Sequence, residues 1–171
     1  MALAGKMDTT TSTTTTTTST STTTTTTTPP PPDPCTSYRE LSSFTRHKTT
    51  YRGAEGVKAA CGTAGKGRCC DTGYHSHPDW AGPGWYRFTG LAGTKMPDSP
   101  PAQFYCTGDA QGWLSGGHPG PGEQVNRSVN FSRGSNTTYR SVEVLVTNCP
   151  SAYYVYRLPE APFCHLTYCG E

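Results

Sequence analysis

The sequence predicts a mainly β, disulfide-rich single extracellular domain, with room for at most a small α+β variant, behind a disordered Thr-rich tail. Three observations carry that expectation. Of the 171 residues, the first 34 are dominated by Thr, Ser and Pro and offer no hydrophobic period from which a core could be built. The residues from Cys35 onward hold all eight cysteines, ten tyrosines and three tryptophans, but only six Leu, seven Val, five Phe and no Ile. So short an aliphatic inventory suits a small aromatic core held by crosslinks, the composition of secreted disulfide frameworks. The third observation is alternation with a period of two in short runs separated by Gly and Pro.

Taken in order, residues 9–28 are twenty consecutive Thr or Ser, followed by Pro29 to Pro32. A Ser/Thr tract beside Pro reads as a mucin-like, O-glycosylated stalk over 1–34; at about 3.1 Å per residue its twenty-residue core could reach roughly 60 Å. The folded domain is expected over 35–169. Tyr38, Leu41 and Phe44 recur every three residues and suggest a short helix between Cys35 and Tyr51. Residues 52–69, rich in Gly, Ala and Lys, read as a loop. Trp85-Tyr-Arg-Phe88 reads as a strand, with Trp85/Arg87 on one face and Tyr86/Phe88 on the other. Residues 90–124 carry many Gly and Pro and should be mostly turns. Val142 to Val146 and Tyr153 to Tyr156 read as strands of one hairpin from about 141 to 158. Phe163 to Tyr168 suggests a last short strand.

A net charge of +2 with scattered basic residues gives no phosphate-tracking stripe, so nucleic acid is not an expected partner. No window approaches the roughly 18 apolar residues of a membrane span, so no direct membrane insertion is expected from this chain. Met1 to Met7 lacks the apolar stretch of a signal peptide, which conflicts with the cysteine usage. The expected resolution is that the chain is a fragment, or a reading frame without its first exon.

Eight cysteines allow 105 pairings, and spacing does not choose among them. Cys69, Cys70, His75 and His77 raise a zinc alternative, but adjacent cysteines do not match the usual ligand spacing, and no metal or cofactor is expected. Three sequons, at Asn126, Asn130 and Asn136, fall in a polar stretch that should be a surface loop carrying N-glycans. Trp85, Trp113 and His118 are candidate ligand-binding residues, since Trp and Tyr stack on sugars; the same rings, Tyr86 with them, also suit a core so short of Leu and Ile. Arg87, flanked by aromatics, suits a cation–π contact. No nucleophile elbow, metalloprotease helix or phosphate loop occurs, and no catalysis is expected.

Several segments together resemble a known family. Asp33-Pro-Cys35, Cys70-Asp71, Gly84-Trp-Tyr-Arg-Phe88, Met96-Pro97, Trp113-Leu114, His118-Pro119, Tyr153-Tyr-Val-Tyr-Arg-Leu158 and Cys164-His-Leu-Thr-Tyr-Cys169 occur in the order found in the uromodulin-type cysteine-rich domain. The resemblance spans 33–169. It implies the pairs Cys35–Cys149, Cys70–Cys164 and Cys106–Cys169, and leaves Cys61 and Cys69, which lie in an apparent insertion, to pair with each other. It also implies a secreted or surface-displayed glycoprotein module with a structural or interaction role in a mucosal coat or matrix. Its partners would be extracellular proteins or glycans; a lectin-like module using surface aromatics is the alternative. The uromodulin glycan that serves as bait for mannose-binding adhesins would fall on Tyr156-Arg157-Leu158-Pro159, where this chain has no sequon.

Overall fold

Seven strands form one mixed sheet in the computed structural model, which describes residues 31–61, 69–73 and 76–171. The strands are β1 (Arg39–Leu41), β2 (Gly84–Phe88), β3 (Ala110–Ser115), β4 (Gln124–Arg133), β5 (Asn136–Cys149), β6 (Tyr153–Leu158) and β7 (Leu166–Tyr168), in spatial order β1-β2-β6-β5-β4-β3-β7. The two outermost pairs, β1–β2 and β3–β7, are parallel and the inner four pairs are antiparallel. Pro32–Glu171 is one compact unit. The Thr/Ser tract lies outside the described residues.

The longest hairpin, β4–β5, turns on the two residues Gly134-Ser135, with Arg133 opposite Asn136 and Gly134 at φ 61°. A two-residue turn with a positive φ at its first position matches the right-handed twist of the flanking strands, which is why Gly sits there. The expected 141–158 hairpin is therefore the second half of a longer meander: β5 continues into β6 through Pro150-Ser151-Ala152.

Alternation sorts the two faces. Tyr86 and Phe88 on β2, Leu114 on β3, Val129 and Phe131 on β4, Val144 and Val146 on β5, and Tyr156 and Leu158 on β6 are buried on one side with Trp80, Met96 and Tyr168. The segments 42–50, 70–73, 76–81 and 90–97 add buried residues, among them Thr45, Asp71, Trp80 and Met96. Tyrosines stand where aliphatics would, and their hydroxyls are satisfied: Tyr86 donates to the Gly82 carbonyl (2.7 Å) and Tyr168 to that of Pro159 (2.9 Å). Gly170 passes so close that an added Cβ would lie 2.0 Å from the Ala92 carbonyl oxygen, so only glycine fits there.

Three expectations are corrected. Tyr38, Leu41 and Phe44 do not share a helix: Leu41 ends β1, and Phe44 begins the 3₁₀ turn Phe44–Arg46, capped by the Ser43 hydroxyl. Pairing with β2 and the buried Leu41 override a weak three-residue spacing. The expected loop at 52–69 contains a one-turn helix, α1 (Val57–Ala60), anchored by buried Val57; residues 62–68 lie outside the described set. The turn-rich stretch 90–124 holds a full strand, β3, in which Gly112 leaves room for the β7 backbone and the β4 side chains Val129 and Phe131. An added Cβ there would meet the Thr167 carbonyl oxygen at 2.8 Å.

Candidate functional site

Crosslinks determine where the chain ends of the sheet sit. Asp33 caps the first turn, its carboxylate accepting the Cys35 N–H (2.8 Å), and Cys35 is joined to Cys149 at the end of β5. Tyr153 donates to the Cys35 carbonyl (2.5 Å), while the Arg87 guanidinium lies 3.9 Å from the Tyr153 ring centroid. At the β7 edge of the sheet Cys106 is joined to Cys169. Cys61 is joined to Cys69. The Cys70 and Cys164 Sγ atoms lie 2.9 Å apart. The zinc alternative looks different in three dimensions: Cys61, Cys69 and His77 place their ligand atoms within 4.8 Å of one another. Both sulfurs are spent in one disulfide, which leaves no thiolate there to ligate. His75 lies outside the described residues.

The face of the sheet away from the core is open along one row across β4, β5, β6 and β2, while elsewhere on it Asn130, Thr147, Cys149 and Val155 are buried. Register places Asn126 opposite Leu145, Leu145 opposite Arg157, and Arg157 opposite Trp85. Directly opposed residues of antiparallel strands point the same way, so these four form a straight row across four strands. At about 4.8 Å per strand, the row is roughly 14 Å long. Asn126 and Arg157 are exposed, and Leu145 and Trp85 half-buried. A groove of about 470 Å³ runs beside the row between Pro83, Asn126, Glu143, Arg157 and Pro159. A smaller one of about 250 Å³ meets it at Gly84 and is walled by Pro32, Tyr38 and Trp85.

The three sequons do not share a surface loop. Asn126 and Asn130 lie on β4 and Asn136 starts β5. Asn126 and Asn136 are exposed, but Asn130 is only 8% exposed and its Oδ1 accepts the Ser141 hydroxyl (2.6 Å). The rest of that sequon, Phe131 and Ser132, is buried too. A polar composition masked the strands; the Gly134-Ser135 pair between two runs was the signal that could have revealed them.

The candidate aromatic residues also separate. Trp113 stands opposite Asn130 and donates its indole N–H to the Thr137 carbonyl (3.1 Å), so its polar end is already used in the hairpin. Tyr86 is core, stacked on Trp80 with ring centroids 5.0 Å apart. His118 packs on Tyr154 and takes the Tyr156 hydroxyl at Nε2 (2.8 Å), while that hydroxyl accepts the Met96 N–H (3.0 Å). Burial, with the nearby Lys95 charge, pushes the His118 imidazole down to about 4. It is a neutral structural acceptor. Of the three, Trp85 alone stays beside an open groove.

One polar cluster went unread in the sequence. Arg46 is fully buried and makes paired hydrogen bonds to Asp71 (2.7 and 2.8 Å) while its Nε reaches Asp79 (2.8 Å). Asp71 also accepts the Tyr168 N–H (2.7 Å), and Asp79 accepts the N–H groups of Ser42 and Ser43. Burial pushes the Asp79 carboxyl up, but Arg46 and those two donors hold it below the ordinary range. This network ties the 3₁₀ turn, Asp71, Asp79 and β7 together.

A sheet with one covered face, crosslinks at both ends and exposed sequons defines a cysteine-stapled β module. The family model of the uromodulin-like D8C domain matches residues 86–170, and the chain carries a domain of that family. It is 33% identical over 140 residues to uromodulin of Mus musculus, covering 81% of this chain and 18% of that protein. It is 33% identical over 138 residues to pancreatic secretory granule membrane major glycoprotein GP2 of Homo sapiens, 80% of this chain and 22% of that one. The rat form of the latter is 41% identical over 92 residues. The chain thus spans about a fifth of the length of these relatives.

Proposed function

We propose that this chain is an extracellular glycoprotein module, secreted or surface-displayed, whose role is structural and adhesive and not catalytic. The observation that supports it most is the placement of Cys35–Cys149, which ties the segment ahead of edge strand β1 to the end of central strand β5, and of Cys106–Cys169, which fastens the β7 edge, in a sheet poor in aliphatics. Such links persist in oxidising compartments. Cys70 and Cys164, already side by side, complete the set as a fourth disulfide. Asn126 and Asn136 carry the N-glycans, with the side-chain nitrogen bonded to C1 of the donor sugar and a lipid diphosphate leaving; Asn130 stays bare. The Thr/Ser tract serves as an O-glycosylated stalk. Asn126 shares its row with Arg157, the position at which the family resemblance places the bait glycan.

No helix among the described residues is long and apolar enough to cross a membrane. The lectin-like alternative draws support from Trp85 only, since Trp113 and His118 are engaged within the fold. The test is non-reducing peptide mass spectrometry of the chain secreted from a eukaryotic host, with site-by-site glycopeptide analysis. Four crosslinks with sugar on Asn126 and Asn136 are the expected result. Open thiols in the secreted material, or bare asparagines at both positions, would overturn the proposal.

A further inference from the structure

We infer that the open-face row is a track for the chain's own sugar: the N-glycan on Asn126 lies across the sheet over Leu145 and Arg157 and ends its ordered part on the Trp85 ring. The inference rests on the reading of Asn126 as an occupied sequon and adds where its glycan goes.

The direction follows from the sheet. Asn126 stands beyond the end of β3, whose last paired residue, Ser115, faces Ser128. Towards β3 there is no strand beside Asn126, and towards β5 there are three more strands, reached through Leu145, Arg157 and Trp85 in turn. A glycan leaving Asn126 therefore meets sheet surface on one side only.

The chemistry of the track suits a sugar chain. Pro83, Leu145 and Pro159 give an apolar floor for the C–H faces of pyranose rings and for acetamido methyls. Glu143 and Arg157, both exposed, flank that floor with an acceptor and with guanidinium donors for hydroxyls and amides. Trp85 closes the row as a half-buried indole, a rigid face on which a sugar ring can stack. The groove of about 470 Å³ is within the size range of small-ligand sites, and Asn126 is one of its walls. An attached ligand loses little translational freedom on docking, so a shallow site suffices to hold it. Asn136 offers no such track: it is exposed at the hairpin tip, beside Gly134 and Ser135.

The test uses the full chain secreted from a eukaryotic host, digested natively with a glycan-cleaving amidase and followed at each site by glycopeptide mass spectrometry. Cleavage at Asn126 should run several-fold slower than at Asn136 in the folded protein, and the difference should vanish after denaturation. Trp85→Ala, and separately Arg157→Ala, should raise the Asn126 rate to that of Asn136. Arg157 is exposed, so its variant keeps the fold, checked by an unchanged melt. An occupied Asn126 cleaved as fast as Asn136, or protection that survives both substitutions, would overturn the track while leaving the glycoprotein reading intact. A bare Asn126 would overturn both the assignment of that sequon and the track.

Discussion

Removing the longest crosslink should cost more than removing the shortest, by an amount set by loop length. Cys35 and Cys149 are 114 positions apart, and the chain-entropy relation gives about 4.8 kcal/mol for a loop of that size. The remaining disulfides shorten the effective path between the two residues in the unfolded chain. Because the dependence is logarithmic, the figure falls only to about 4 kcal/mol. Cys61 and Cys69 are 8 apart, for which the same relation gives about 2.6 kcal/mol. At an unfolding entropy of about 2.1 cal/mol/K per residue, summed over the compact unit, these convert to losses of about 14 °C and about 9 °C in Tm. The native side adds little: the Tyr153 hydroxyl bonds the Cys35 backbone carbonyl, which Cys35→Ala keeps. The assay is calorimetry of the Cys35→Ala/Cys149→Ala and Cys61→Ala/Cys69→Ala variants beside the parent. The long-loop variant should also show a larger urea m value, since its denatured state expands. A short-loop variant that melts lower than the long-loop one, or a long-loop loss under about 5 °C, would refute the entropic account.

Other outcomes are expected. Arg46→Met leaves Asp71 as a buried unpaired carboxylate and should cost about 3–5 kcal/mol in urea unfolding, whereas Arg46→Met with Asp71→Leu should recover much of it. His118 is held at about 4 in the folded chain against an ordinary value near 6.5, so the unfolded state takes the proton first. Its contribution is complete above pH 6.5 and is lost as the pH falls towards 4. The bare shift, discounted for a half-exposed ring, amounts to about 1–2 kcal/mol, read as a steeper fall of Tm with acid in the parent than in His118→Gln. Asn130 should carry no glycan by peptide mass spectrometry, while Asn130→Ala, which removes the acceptor for Ser141, should lower stability by about 1 kcal/mol.

Strands with aromatic or Val alternation could be read directly from the sequence. Trp85–Phe88 and Val142–Val146 declare their buried faces because each buried position recurs two residues on, and the structure buries Tyr86, Phe88, Val144 and Val146. β3 and β4 could not be read that way. Gly112 has no side chain to show an inward position, and β4 carries only Asn and Ser from 126 to 132 on one face while Arg127 interrupts Val125, Val129 and Phe131 on the other. The sequon stretch thus looked like a loop because half of a strand facing solvent has a loop's composition. The Arg46–Asp71–Asp79 network was illegible for another reason: its partners are 25 and 33 residues apart, and nothing local marks an arginine that will be buried. The open-face row needed the register of four strands before Asn126 and Trp85 could be placed on one line.

An amphipathic sheet is ordinarily completed by a second layer that hides its apolar face. Here the cover is made of loops, and loops stay down only if something replaces the packing of a helix or a second sheet. The buried Arg46 cluster holds two of them, Lys48 and Lys95 pair with Glu171 over a third, and the disulfides fasten the end of β5 and the β7 edge. On the opposite face the Cys35–Cys149 crosslink and the buried Thr147 and Val155 occupy one end, which leaves the Asn126–Trp85 row clear of these fastenings. Residues there can be chosen for what they touch outside the protein. An asparagine at Asn126 or at the Arg157 position is exposed, whereas Asn130 sits between β3 and β5, is buried, and its side chain belongs to the fold. Glycan placement on this face should therefore be tolerated along the Asn126–Trp85 row and not four residues further along β4, a contrast that substituting a sequon at each position in turn would measure as secretion yield.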